Sequence, residues 1–182
     1  TGTGMVAVGY AALIKQTTGH SNTACGYDAL GELTTGIQSC AAGYRALAEV
    51  TTTNNNTAFG FKALEAHTAT SGTAVGTRAL YLNTSGNNNT AVGDHALCNN
   101  TTAGSNTAVG HLALEMNTTG GLNCAIGAEA LEANTTGGSN TACGFGALHV
   151  NTTGGSNTAC GKNALTSNTT ATGNTAVGYD AM

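Results

Sequence analysis

An all-β, parallel β-solenoid with about 17 residues per coil and eleven coils is the fold class this sequence predicts. Three observations predict it. A glycine register recurs at Gly9, Gly26, Gly43, Gly60, Gly76, Gly93, Gly110, Gly127, Gly144, Gly161 and Gly178, spaced by 17 residues except for one step of 16 between Gly60 and Gly76. Ala precedes every register glycine by two residues and follows it by three, with Leu next in ten copies and Met182 in the last. Finally, the 182 residues contain 33 Thr, 31 Ala, 27 Gly and 20 Asn but no Pro, and only 8% are charged.

The elements follow from local chemistry. The best-formed unit reads Asn-Thr-Ala-Val-Gly-x-x-Ala-Leu-x-x-Asn-Thr-Thr-Gly-x-x. Asn-Thr-Ala-Val-Gly is a short extended run ended by glycine. Gly-x-x-Ala-Leu-x-x is ambiguous between a second strand and one helical turn. Asn-Thr-Thr-Gly is turn chemistry, because Asn tolerates and Gly freely adopts the left-handed region. Proline would remove a donor from a ladder running the whole length, so its absence fits. Seventeen residues are too few for two-helix repeats. At strand spacing of about 4.8 Å, the coils would make a rod of roughly 50 Å. Residues 1–182 are therefore expected to form a single repeat array without caps.

Composition excludes several function classes. Five Lys+Arg cannot supply a phosphate-tracking stripe, so no nucleic acid is expected as a partner. No apolar stretch approaches 18 residues, so no membrane insertion is expected. The N-terminal residues show no basic n-region of a signal peptide. No nucleotide fingerprint, Walker loop or G-x-S-x-G motif is present, and no cofactor is expected.

All fourteen charged residues sit one or two residues after a register glycine or one or two after the Leu, columns that must face water. Strand alternation sets Ala24 and Gly26 on one face and Thr23 and Cys25 on the other. The column before each register glycine reads Val8, Cys25, Ala42, Phe59, Val75, Val92, Val109, Ile126, Cys143, Cys160, Val177, with no polar member, and is expected to be buried. The Ala face fills the chain's own lumen, which leaves this second apolar face needing a partner. Further copies in a three-fold bundle are favoured over a wide single-chain coil covered by its own second strand.

Two Asn columns stand out. Asn22, Asn56, Asn89, Asn106, Asn123, Asn140, Asn157 and Asn174 precede the strands. Asn83, Asn100, Asn117, Asn134, Asn151 and Asn168 follow at unbroken 17-residue intervals and are read as an amide ladder. Each of these six also begins a glycosylation sequon, as do Asn55, Asn88 and Asn99.

The unit resembles repeats in tail-fibre-like proteins of bacteriophages, giant viruses and environmental bacteria, most clearly from Asn106-Thr107-Ala108-Val109-Gly110 through Asn117-Thr118-Thr119-Gly120 and in the copies beginning at Asn140 and Asn157. More distantly it is similar to the β-roll head repeats of trimeric autotransporter adhesins, whose coil is shorter. The first four copies depart from the unit, with Gln16, Leu33, Val50 and His67 in the second Asn column. The resemblance implies a trimeric surface fibre, extracellular or on a virion, that serves attachment; a non-enzymatic role is the leading expectation.

Candidate chemistry is sparse. Tyr10, Tyr27, Tyr44 and Phe61 follow consecutive register glycines and form an expected exposed stripe, with Phe145 and Tyr179 in the same column. Beside it, Arg45, Lys62 and Arg78 make it the candidate contact for a cell-surface glycan. The six Cys (Cys25, Cys40, Cys98, Cys124, Cys143, Cys160) read as free buried thiols, with no C-x-x-C pair. His20, His67, His95, His111 and His149 fall in five different columns, so no metal site is expected. Glu115 and Glu132 share a column about 5 Å apart, the separation of a retaining glycosidase pair, but in a solvated column without aromatic walls. Thr columns raise an ice-binding solenoid as a lesser reading, weakened because Thr118 and Thr119 are adjacent and would face opposite ways. The open ends raise head-to-tail assembly of a filament subunit, or a piece of a longer chain, as the main alternative.

Overall fold

The computed structural model describes residues 2–182. Among them are eleven three-residue strands, β1 (Val6–Val8), β2 (Thr23–Cys25), β3 (Cys40–Ala42), β4 (Thr57–Phe59), β5 (Thr73–Val75), β6 (Thr90–Val92), β7 (Thr107–Val109), β8 (Cys124–Ile126), β9 (Thr141–Cys143), β10 (Thr158–Cys160) and β11 (Thr175–Val177). They form one parallel sheet in sequence order, and every strand pairs with the next in the register the repeat dictates, as in Ala7↔Ala24 and Ala108↔Ala125. The 16-residue step is absorbed outside the strands, since β4 and β5 still pair Thr57↔Thr73, Ala58↔Ala74 and Phe59↔Val75. The chain is a β-solenoid of about ten turns. No helix is found among the described residues.

The Gly-x-x-Ala-Leu-x-x segment is neither of the two expected forms. It is a run of linked tight turns: Ala46 N–H donates to the Gly43 carbonyl (3.5 Å), Gly31 N–H to the Asp28 carbonyl (3.3 Å) and Leu33 N–H to the Leu30 carbonyl (3.2 Å). The first two of these turns carry a left-handed residue at the third position, Arg45 and Leu30, as type II turns require. Here those residues are side-chain bearing, for example Arg45 (φ 53°), Leu47 (φ 52°) and Leu114 (φ 54°). A bulky residue in this region costs about 1–2 kcal/mol. The conformation persists because it turns the Leu four residues past each register glycine inward and keeps the backbone stacked: Leu30 N–H donates to the Ala46 carbonyl and Leu47 N–H to the Ala63 carbonyl of the following coils, each at 3.1 Å. At the register the requirement is stricter. Gly110 has φ 141°, and a Cβ there would overlap the Gly127 carbonyl of the next coil.

The core is thin. Each complete coil contributes the strand Ala, the Ala three residues past the register and the Leu, as with Ala108, Ala113 and Leu114, all 0% exposed. The two Asn columns fill the remaining corner of the lumen, and Asn106 and Asn117 are buried. No room is left for larger side chains, which is why the inward strand position is invariably Ala.

Candidate functional site

With so narrow a lumen, any function resides on the outer files. Among the described residues there is no cavity or cleft.

The sheet presents the first file. Each strand turns its central Ala inward and its first and third residues outward. The column before the register glycine was expected to be buried; within one chain it is solvent-facing. Val8, Phe59, Val75, Val92, Val109, Ile126 and Val177 are exposed, and Val92 still shows 36% of its surface after stacking on both neighbours. The same correction applies to the thiols. All six cysteines are free, but only Cys98 is buried, whereas Cys25 and Cys143 are exposed and Cys40, Cys124 and Cys160 half-buried. Burial and the nearby Glu115 carboxylate push the Cys98 thiol up to about 11, which makes it a poor nucleophile.

The aromatic file forms as the sequence suggests. Ring centroids of Tyr10–Tyr27, Tyr27–Tyr44 and Tyr44–Phe61 lie 5.1, 5.2 and 5.3 Å apart with planes within 15° of parallel. Stacking turns the inner ring faces onto one another, so the stripe offers mainly ring edges. Its cations are largely engaged. Arg45 meets Asp28 (3.4 Å), Glu49 (3.5 Å) and Glu65 (2.6 Å), and Lys62 meets Glu65 (3.3 Å). Lys62 and Arg78 both lie over the Tyr81 ring, and Arg78 has no carboxylate partner among the described residues. Glu65 overturns the expectation that every charged column faces water: it is 3% exposed. Its oxygens are paired with Arg45 and Lys62 by distance, although neither has a well-aligned hydrogen bond.

The amide ladder is present and polarised. Asn168 Nδ2 donates to Asn151 Oδ1 (2.8 Å), Asn151 to Asn134 (2.9 Å), Asn134 to Asn117 (2.9 Å), Asn117 to Asn100 (2.8 Å) and Asn100 to Asn83 (2.6 Å). The second proton of each amide goes to a carbonyl three residues on, such as Gly120 for Asn117 (3.0 Å). From Asn83 to Asn151 these side chains are wholly buried, so in the folded chain they are no glycan acceptors; the sequons at Asn55 and Asn88 are exposed. The other Asn column caps backbone, with Asn106 Oδ1 accepting from Asn123 N–H at 2.9 Å.

Hydroxyls form a parallel file. Thr101, Thr118 and Thr135 each donate to the carbonyl one coil on, at 3.1, 3.0 and 3.0 Å. Those hydroxyls are turned to the backbone and are not an outward array.

The five histidines indeed share no column, but one joins carboxylates. The fifth position after the register reads Glu115, Glu132, His149 in successive coils. One ligand atom from each of Glu129, Glu132 and His149 lies within 4.8 Å of the other two, and all three residues are half-buried. Pairing His only with His missed this grouping; reading that one column across residue types finds it. Glu115 lies outside the grouping.

Comparison with protein-family profiles, curated proteins and solved structures gives no match to this chain.

Proposed function

We propose that this chain is a non-enzymatic structural and adhesive segment of a fibre on a cell or virion surface, built from three copies packed through their strand faces. One observation carries the reading: the outward file from Val8 to Val177 is uncharged in all eleven coils and continuous along the rod. Soluble monomers rarely leave so long an apolar strip in water. A face about 50 Å long and about 10 Å wide offers roughly 500 Å² per copy. Two such faces together approach the ~1,000 Å² that a stable interface needs. A second copy matches the face rung for rung, because only a partner with the same rise per coil keeps Val92 and Val109 opposed to apolar side chains along the whole length. In a three-fold arrangement each copy divides this face between its two neighbours.

The aromatic file, with Arg78 beside it and without a carboxylate partner among the described residues, is the part of this fibre that meets a cell-surface glycan. Sedimentation equilibrium tests the assembly. The expected mass is three times 17.8 kDa for the native chain, falling to one chain in V92D/V109D with its circular dichroism unchanged. A native chain that sediments as a monomer refutes the bundle. A polymer without a limiting size instead favours the filament alternative.

A further inference from the structure

We propose that Glu129, Glu132 and His149 form a binding site for a divalent cation of the zinc type. It is independent of the fibre reading and can fail without it.

The site follows from the coil geometry. Glu129 and Glu132 bracket one tight turn, in which Glu132 N–H donates to the Glu129 carbonyl at 3.4 Å, and this turns both carboxylates to the same side. His149 occupies the position of Glu132 one coil on, and stacking brings its Nδ1 to 3.5 Å from Glu132 Oε2. The imidazole also leans diagonally over the turn, with Nδ1 3.4 Å from the Glu129 carbonyl oxygen. That lean has room because the residue stacked on Glu129 is Gly146, whose N–H donates to the Ala128 carbonyl at 3.0 Å and which places no side chain above the carboxylate. Asn163 holds the same position in the next coil and does carry one.

Charge gives a second, separate reason. The basic residues Lys15, Arg45, Lys62 and Arg78 lie in the first five coils, and the next, Lys162, comes 84 residues after Arg78. The early carboxylates are matched accordingly: Glu32 pairs with Lys15 at 2.6 Å, and Asp28, Glu49 and Glu65 pair with Arg45. Among the described residues neither Glu129 nor Glu132 has a Lys or Arg partner; His149 is the group that faces them. Two carboxylates held together without a fixed cation attract a mobile one.

The donors select its type. Two carboxylate oxygens and one imidazole nitrogen suit Zn²⁺, whereas Ca²⁺ and Mg²⁺ prefer all-oxygen sets. Metal–ligand bonds of about 2.1 Å set neighbouring donors about 3.4 Å apart in a tetrahedron. The observed ligand atoms, within 4.8 Å of one another, lie close to that spacing. Half-buried on the outside of the rod, the site leaves the fourth position to water or to a ligand atom from outside.

Calorimetric titration of Zn²⁺ into the whole chain tests this, with C25S, C40S, C124S, C143S and C160S introduced so that exposed and half-buried thiols do not compete. The expected result is one Zn²⁺ per chain with micromolar affinity, weakened at least about tenfold by E132Q or by H149A and unchanged by H111A. Circular dichroism of each variant reports that the solenoid is intact. Absence of saturable binding up to about 1 mM, or binding that E132Q and H149A leave unaltered, overturns the assignment.

Discussion

Asn83 donates through Nδ2 to His67 Nδ1 at 2.7 Å, and that bond is where the amide ladder ends. His67 replaces Asn in the column and passes the interaction sideways, with Nε2 3.1 Å from Asn56 Oδ1. Asn56 Oδ1 accepts and Asn83 Nδ2 donates, so the ring is held as the neutral Nε2–H tautomer. Adding a proton to Nδ1 would set donor against donor in a site of no solvent exposure. Flipping Asn83 gives no relief, because its Oδ1 already accepts from Asn100.

Stability is therefore expected to fall in mild acid. Burial lowers the His67 pKa from 6.5 to about 4, so the unfolded chain takes up this proton first as pH drops. The contribution is complete above pH 6.5, is lost between pH 6.5 and about 4, and reaches about 3 kcal/mol at most. Urea unfolding at pH 7.5 and pH 4.5 measures it. H67N, which continues the ladder with a group that does not titrate, should show a smaller loss; an equal loss in H67N would assign the effect to the carboxylates.

Removing a rung should cost more than its few atoms suggest. N117A deletes donations to Asn100 Oδ1 and the Gly120 carbonyl and leaves Asn134 Nδ2 without its ladder acceptor. Buried polar groups left unpaired cost about 1–3 kcal/mol, so a loss of about 2–3 kcal/mol in urea unfolding is expected. In the same column Leu33 and Val50 are buried without a ladder, so the penalty belongs to the stranded partners and not to the loss of an amide as such.

The ion cluster around Glu65 makes a third expectation. E65A removes the carboxylate that both Arg45 and Lys62 meet, but these cations reach solvent and Arg45 keeps Asp28 and Glu49, so a loss of about 1–3 kcal/mol is expected. Thermal unfolding of E65A should show the loss, whereas E49A, which removes an exposed carboxylate 3.5 Å from Arg45, should change stability by less than about 1 kcal/mol.

Aromatic stacking contributes to the early coils and, in the proposed function, to glycan contact. Y27A interrupts two ring pairs at 5.1 and 5.2 Å, for an expected loss of about 1–2 kcal/mol. On a glycan array Y27A/Y44A should lose any binding the native chain shows; retained binding would place the contact elsewhere. Unaltered freezing behaviour of the native chain is expected as well, and thermal hysteresis would support the ice-binding reading.

Much of this architecture is legible in the repeat. A fixed period forces like residues into vertical files, so the register, the inward Ala and Leu, the Asn ladder and the aromatic stack all follow once coils are stacked. The turns are not legible. Leu at φ near +52° contradicts local preference, and only the stacked backbone and the buried side chain impose it. Burial of Glu65 was hidden because a carboxylate reads as a water-facing residue, whereas its column also holds buried Ala48 and Cys98, and in that coil Arg45 and Lys62 meet it. The outward direction of Val92 was readable from alternation, but hydrophobicity alone suggested burial, which within a single chain it does not have. The Glu129–Glu132–His149 grouping was obscured because its three members differ in residue type and lie in two coils.

Whether the strand face is covered by identical copies can be measured at Cys25 and Cys143, which stand in that file and are exposed in the single chain. Rates of maleimide labelling, read residue by residue by mass spectrometry, compare the native chain with V92D/V109D, with buried Cys98 as the internal reference. The expected result is slow labelling of Cys25 and Cys143 in the native chain and fast labelling in the variant, while Cys98 stays slow in both. Fast labelling of Cys25 and Cys143 in the native chain would contradict the bundle.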